Sequence, residues 1–218
     1  MNIGKEFLLL FAVLFLPGMI AQGTGPDPRA FEDVFYHVQL LVTSIPQILL
    51  VVAVSDLNKP GSSGRFGWNA PTWRDLATGM IAVVAIWVSA GLLATVAGAL
   101  VGDGSPVEPA VAWTFDRPEL IPLVLVSTLA IGYREEIFYR AYITERAERS
   151  GIDARPALGG GAVLFATGHL YQGVMGFIVA LTIGGVLAAV YYRSRSLHGI
   201  AIAHGLYNFA ILISSGSA

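Results

Sequence analysis

Cysteine is absent from the 218 residues, so disulfides, thiolate metal ligands and a cysteine nucleophile are all excluded. Charge is scarce as well. Only 13% of residues are Asp, Glu, Lys or Arg, far below the roughly 25% of a soluble domain, whereas 55% are hydrophobic. A chain so poor in charge and so rich in apolar residues, with a mean hydropathy of +0.65, is a membrane protein. The formal net charge of -2 and the scattering of basic residues among short connections exclude a nucleic-acid-binding face. Two catalytic signatures are missing too: no G-x-S-x-G elbow supports a serine triad, and no H-E-x-x-H supports a zincin. Neither an internal repeat nor a low-complexity tract interrupts the chain.

What is present is a series of apolar segments near the roughly 20 residues needed to cross a bilayer. They predict an all-α transmembrane bundle with spans at about 6–22, 34–55, 75–101, 119–144, 156–170, 173–193 and 198–214. The whole chain, 1–218, then forms a single integral membrane domain of about seven to eight helices. Breaker-rich stretches such as "LNKPGSSGRFGWNAPTWRD" and "GDGSPVEPAVAWTFDRPE" connect the spans. Segment 6–22 has a second reading as a signal peptide, because Lys5 precedes it and "AQG" supplies small residues at its end. Lys5, then Lys59, Arg65 and Arg74, then Arg146, Arg149 and Arg155, then Arg193 and Arg195 fall on alternate connections. Lys and Arg are retained inside, which predicts a multi-pass cell-membrane protein with a cytoplasmic N-terminus and an external C-terminus.

Against this apolar background, charges inside a span need a reason, since each costs about 2.5–3.5 kcal/mol at a helix centre on insertion scales. The fourth span ends in "IGYREEIFYRAY", with Arg134, Glu135, Glu136 and Arg140. Glu136 and Arg140 are four apart, the acid first, which suits an ion pair. Glu135 points about 100° away and need not share that arginine. Arg134 and the downstream Glu145, Arg146, Glu148 and Arg149 read as interfacial charges that snorkel or pair. In the fifth span "FATGH" puts Phe165 and His169 on one face, and in the last "HGLYN" puts His204 and Asn208 on one face. His37 and His198 read as interfacial.

A carboxylate and two imidazoles on three spans can activate water, and a carboxamide can donate to a developing oxyanion. That inventory suits peptide hydrolysis. Two other classes compete with it: a proton-coupled transporter using the same groups as a relay, and a non-catalytic membrane scaffold.

Taken in order, "EEIFYR", "FATGH" and "HGLYN" match E-E-x-x-x-R, F-x-x-x-H and H-x-x-x-N. The chain thereby resembles the CAAX-protease and bacteriocin-processing (CPBP, or Abi) family of intramembrane endopeptidases over about 119–214. The resemblance implies that Glu135 and His169 activate the attacking water and that His204 and Asn208 stabilise the oxyanion, with Glu136 and Arg140 in support. It implies a peptide or membrane-protein substrate met in the lipid bilayer. A metal-free reaction is favoured, because Asn208 is a poor zinc ligand and a good oxyanion donor. If zinc is used instead, Glu135, His169 and His204 would supply its three protein ligands. One difficulty accompanies the motifs: His169 would lie about 20 Å along a helix starting at 156, while Glu135 and His204 lie nearer the cytoplasmic side.

Overall fold

The computed structural model describes residues 3–21, 27–101 and 113–214, and among them every regular element is helical. Asp103, Glu108 and most of "AQG" lie outside the described residues. The first apolar segment forms α1 (Ile3–Leu14) and α2 (Leu16–Ala21), broken just before Pro17, whose ring cannot continue the hydrogen-bond ladder. Next come α3 (Val34–Asn58), a single turn α4 (Ser62–Arg65) and α5 (Trp73–Val101). Asp33 starts α3 by accepting from the Phe35 amide at 2.9 Å.

The fourth segment runs further than its apolar stretch. α6 (Ile121–Glu136) passes into a π-helical segment (Ile137–Tyr142) and then α7 (Ile143–Arg149), so one rod extends from 121 to 149. After a turn capped by Asp153 come α8 (Ala154–Thr167), α9 (Gly173–Ser194) and α10 (Leu197–Ser214). Four helical stretches are long and apolar enough to cross a membrane: Val34–Asn58, Trp73–Ala99, Leu170–Ser194 and Leu197–Ser214. The chain is an integral membrane protein. Leu49, Leu57, Val88, Leu92 and Val174 are exposed on the outside of the bundle, as lipid-facing side chains must be.

α10 is the most enclosed of these spans, with half of its apolar window buried. It packs closely on α6 because Gly132 and Gly205 leave no room between them: a Cβ on Gly132 would lie 2.6 Å from the Ala201 carbonyl oxygen, and one on Gly205 would lie 2.7 Å from Leu129 Cα. α1 lies against the π segment through Phe7 and Phe11, which with Phe15, at the break between α1 and α2, surround Phe138; the Phe15 ring is 4.6 Å from that of Tyr139. Beneath this contact Glu6, 1% exposed, accepts from Asn58 at 2.9 Å, from Tyr142 at 2.9 Å and from Arg146. An apolar cleft of about 230 Å³ opens beside it between α1 and α7, and none of Glu135, Glu136, Arg140, His169, His204 and Asn208 lines it.

Several polar groups are therefore buried rather than interfacial. Glu145 and Arg146 are each 6% exposed and belong to an ion-paired cluster with Glu6, Arg65 and Arg149. His37 is fully buried between Ser127 Oγ, 2.8 Å away, and the Phe31 carbonyl, 2.9 Å away. His198, 7% exposed, lies between the Tyr133 hydroxyl and the Asn69 carbonyl. Both histidines tie separate segments of the chain together, which an interfacial side chain would not do.

Candidate active site

The three motifs meet around one ring. Phe165, 3% exposed near the end of α8, carries His169 at 4.7 Å, His204 at 5.5 Å and Tyr139 at 5.6 Å between ring centroids. The Arg140 guanidinium lies over the same ring at 4.8 Å. Gly184 of α9 closes the far wall, where a Cβ would come within 3.2 Å of both Arg140 Nη2 and Phe165 Cδ1.

Glu136 and Arg140 form the buried floor, each side chain with no solvent exposure. Arg140 Nη1 donates to Glu136 Oε1 at 3.0 Å, and its Nη2 donates to the Gly184 carbonyl at 3.2 Å. His204 Nδ1 lies 2.8 Å from that same Glu136 oxygen. A carboxylate can only accept, so Nδ1 carries the hydrogen and Glu136 fixes the ring. His204 Nε2 then faces Glu135 Oε2 at 3.7 Å, beyond direct hydrogen-bond length. One imidazole thus bridges the two consecutive carboxylates.

His169 lies just past α8, at the start of a 3₁₀ turn over Leu170–Gln172. Its Nδ1 is 3.1 Å from the Phe165 carbonyl oxygen. A carbonyl likewise only accepts, so Nδ1 donates and Nε2 of the neutral ring keeps its lone pair for another partner. Asn208 follows His204 by one turn of α10 and is half-buried; among the described residues, no protein group takes a hydrogen bond from its amide.

Depth presents no obstacle, because the rod does not end at 144. From Arg149 back to Glu135 is 14 residues, or about 21 Å, and from Ala154 to His169 is 15 residues, or about 22 Å. The hairpin of α7 and α8 therefore returns His169 to the level of Glu135, well inside the bundle.

Arg134 departs from its expected interfacial place. Its Nη2 is 3.1 Å from Glu135 Oε1, the two side chains are only 16% and 13% exposed, and the guanidinium lies over Phe15, between α1 and α2. Adjacent residues on a helix point apart, so spacing gave no sign of this pair; only the length of both side chains lets them meet. Among the described residues no three His, Asp or Glu side chains are grouped to hold a metal ion. Each imidazole already commits Nδ1 to a protein acceptor, so a metal could reach only the two Nε2 atoms and Glu135.

Residues 117–210 match the family model of the type II CAAX prenyl endopeptidases, Rce1-like. That stretch holds every motif residue but spans less than half of the chain, and it shows the resemblance to CPBP proteases that the motifs carry. The match likens this stretch of the chain to a family of proteases. No curated protein and no solved structure matches the chain at a significant level.

Proposed function

We propose that this protein is an intramembrane endopeptidase that hydrolyses a peptide bond by water held between Glu135 and His169. The observation that carries the reading is the gathering of His169 and His204 around Phe165, with Glu135 facing His204 Nε2 and Glu136 holding its Nδ1. In this mechanism Glu135 takes the proton of the water, oriented by the His169 Nε2 lone pair, as its oxygen attacks the scissile carbonyl carbon. The carbonyl π electrons move to oxygen, and that oxyanion receives hydrogen bonds from His204 Nε2 and the Asn208 amide. To donate from Nε2 while Nδ1 donates to Glu136, His204 acts in this step with a hydrogen on both ring nitrogens. Collapse of the tetrahedral intermediate breaks the C–N bond, and the proton on Glu135 passes to the departing amine.

The reading is metal-free: no step requires an ion, and Asn208 serves as a donor. It places the chemistry in a single membrane domain with its core at 119–214, within a bundle of seven to eight spans whose N-terminus is cytoplasmic.

Glu135→Gln keeps the side chain's shape and removes its basicity. Purified wild type and variant would be compared for cleavage of peptide and membrane-protein libraries in detergent and liposomes, with and without chelator. The variant should fold and bind, yet lose roughly 10²–10⁴-fold in rate, the range of general-base catalysis. Zinc-restorable loss of wild-type activity under chelator would replace the metal-free reaction with Glu135, His169 and His204 as ligands. A wild type that cleaves nothing, while proton or solute flux depends on Glu135, would establish the transporter instead.

A further inference from the structure

Beyond the three motifs, the turn that follows His169 is built with unusual care. Gly173 ends it at φ 76° and ψ -176°, a conformation open essentially to glycine alone. One turn into α9, a Cβ on Gly176 would fall 2.3 Å from Gln172 Cβ and 3.2 Å from Gln172 Oε1. The bare backbone at 176 is thus the floor on which the Gln172 side chain lies. The Gln172 amide N–H donates to the His169 carbonyl at 2.9 Å, closing the turn.

Held in this way, Gln172 Nε2 donates to the Tyr171 hydroxyl at 2.8 Å. The Tyr171 ring lies nearly parallel to that of His169, 28° apart with centroids separated by 6.5 Å. Because Tyr171 Oη accepts from Gln172, its own hydrogen must point elsewhere, and among the described residues no group accepts it. Accepting one hydrogen bond strengthens the donor on the other side of the hydroxyl. An interfacial belt tyrosine would need only its ring and water; this one sits half-buried on a candidate catalytic histidine, with a dedicated amide behind it.

We propose that Tyr171 is a substrate-contacting donor of this site, giving its O–H to a carbonyl oxygen of the bound peptide at or beside the scissile bond, with Gln172 as its positioning residue. The proposal rests on the peptidase reading. It extends the donor set from α10 to the turn between α8 and α9, so that the substrate backbone is held from both sides of Glu135.

Tyr171→Phe removes one hydroxyl and keeps the ring on His169. The full chain in detergent would be assayed on the quenched-fluorescent library peptide that wild type cleaves fastest, alongside binding of a peptide phosphinate as a tetrahedral probe. Tyr171→Phe should lower kcat/KM by about 10–100-fold, at or below the loss typical of one oxyanion donor, and weaken phosphinate binding in parallel, with an unchanged melting temperature. Gln172→Leu should give a smaller loss in the same direction. Combining the two should cost no more than Tyr171→Phe alone, since they act as one unit. Should Tyr171→Phe fold poorly, Gln172→Leu with intact melting carries the same comparison. Variants that match wild type in kcat/KM and phosphinate binding, or lose activity only as far as they lose thermal stability, overturn the assignment while leaving the peptidase standing. A wild type that neither cleaves peptides nor binds the phosphinate removes the peptidase reading, and this inference with it.

Discussion

Removing Arg140 tests the buried floor of the site most severely. Its guanidinium and the Glu136 carboxylate are both fully enclosed, and the two partners of Glu136 Oε1 are Arg140 Nη1 at 3.0 Å and His204 Nδ1 at 2.8 Å. Arg140→Ala therefore strips the buried carboxylate of its guanidinium, leaves His204 as its remaining partner, and opens a void next to Phe165, where the guanidinium lay. Breaking a buried pair from one side costs about 3–5 kcal/mol. For a chain of this length, with about 2–4 °C of melting temperature per kcal/mol, the loss is roughly 6–20 °C. Arg134→Ala is the control. Its pair with Glu135 is partly exposed, so water can reach the carboxylate left behind, and the loss should be less than half as large. Folded yield by size exclusion and thermal unfolding in one detergent would measure both. A double variant sharpens the comparison, since replacing both charges by apolar side chains of similar volume is often neutral or stabilising. Arg140→Met with Glu136→Leu should recover most of the stability lost in Arg140→Ala and none of the activity. Equal losses for Arg140→Ala and Arg134→Ala, or a double variant as unstable as Arg140→Ala, would refute the argument from a broken buried ion pair.

Two further outcomes are expected. Asn208→Ala should lower kcat by about 10²–10³-fold with little change in folded yield, because its amide is half-buried and makes no hydrogen bond to protein; steady-state kinetics on the library peptide would show it. Gly132→Val should lower melting temperature and activity together, since its side chain would drive α6 away from the Ala201 carbonyl of α10 and so separate Glu135 from His204, whereas Gly159→Val, at a glycine with open space around it, should do neither.

The apolar segments were legible because lipid demands long uncharged helices, and α3, α5, α9 and α10 fall within a few residues of their predicted spans. The inner half of the α6–α7 rod was not. Residues 143–149 carry four charges in "ITERAER", which reads as a connection, yet Glu145 and Arg146 are buried, and Arg146 meets Glu6 of α1, 140 residues away in the chain. Nothing in a local window can reveal a partner so distant. The same reason hid the roles of His37, whose Ser127 partner is 90 residues on, and His198, whose Tyr133 partner is 65 residues back. A lone histidine near a span end has the same appearance whether it meets water or a hydroxyl. The motif residues were easier to find, because charge in an apolar span is conspicuous on energetic grounds alone. Their mutual arrangement was not legible, since it depends on where the rod ends, and the turn from Leu170 to Gly173 looked like the unremarkable margin of a span.

Why two acids should stand side by side at 135 and 136 follows from the arrangement of α6 and α10. Consecutive residues on a helix diverge by about 100°, so one carboxylate can turn into the protein while the next faces the cavity. Glu136 turns inward, neutralised by Arg140 and fixing His204 by Nδ1. Glu135 stays on the partly exposed side, toward His204 Nε2. An imidazole presents its two nitrogens in divergent directions, which suits two carboxylates that diverge in the same way. The bridge works only if α10 comes close enough for one ring to reach both acids, and it is the glycines at 132 and 205 that permit that distance. Separating the acids by one residue would rotate the second by a further 100° and leave His204 with a single partner. The E-E pair and the small residues at 132 and 205 are therefore one device: the glycines bring the histidine in, and the paired acids give its two nitrogens different tasks.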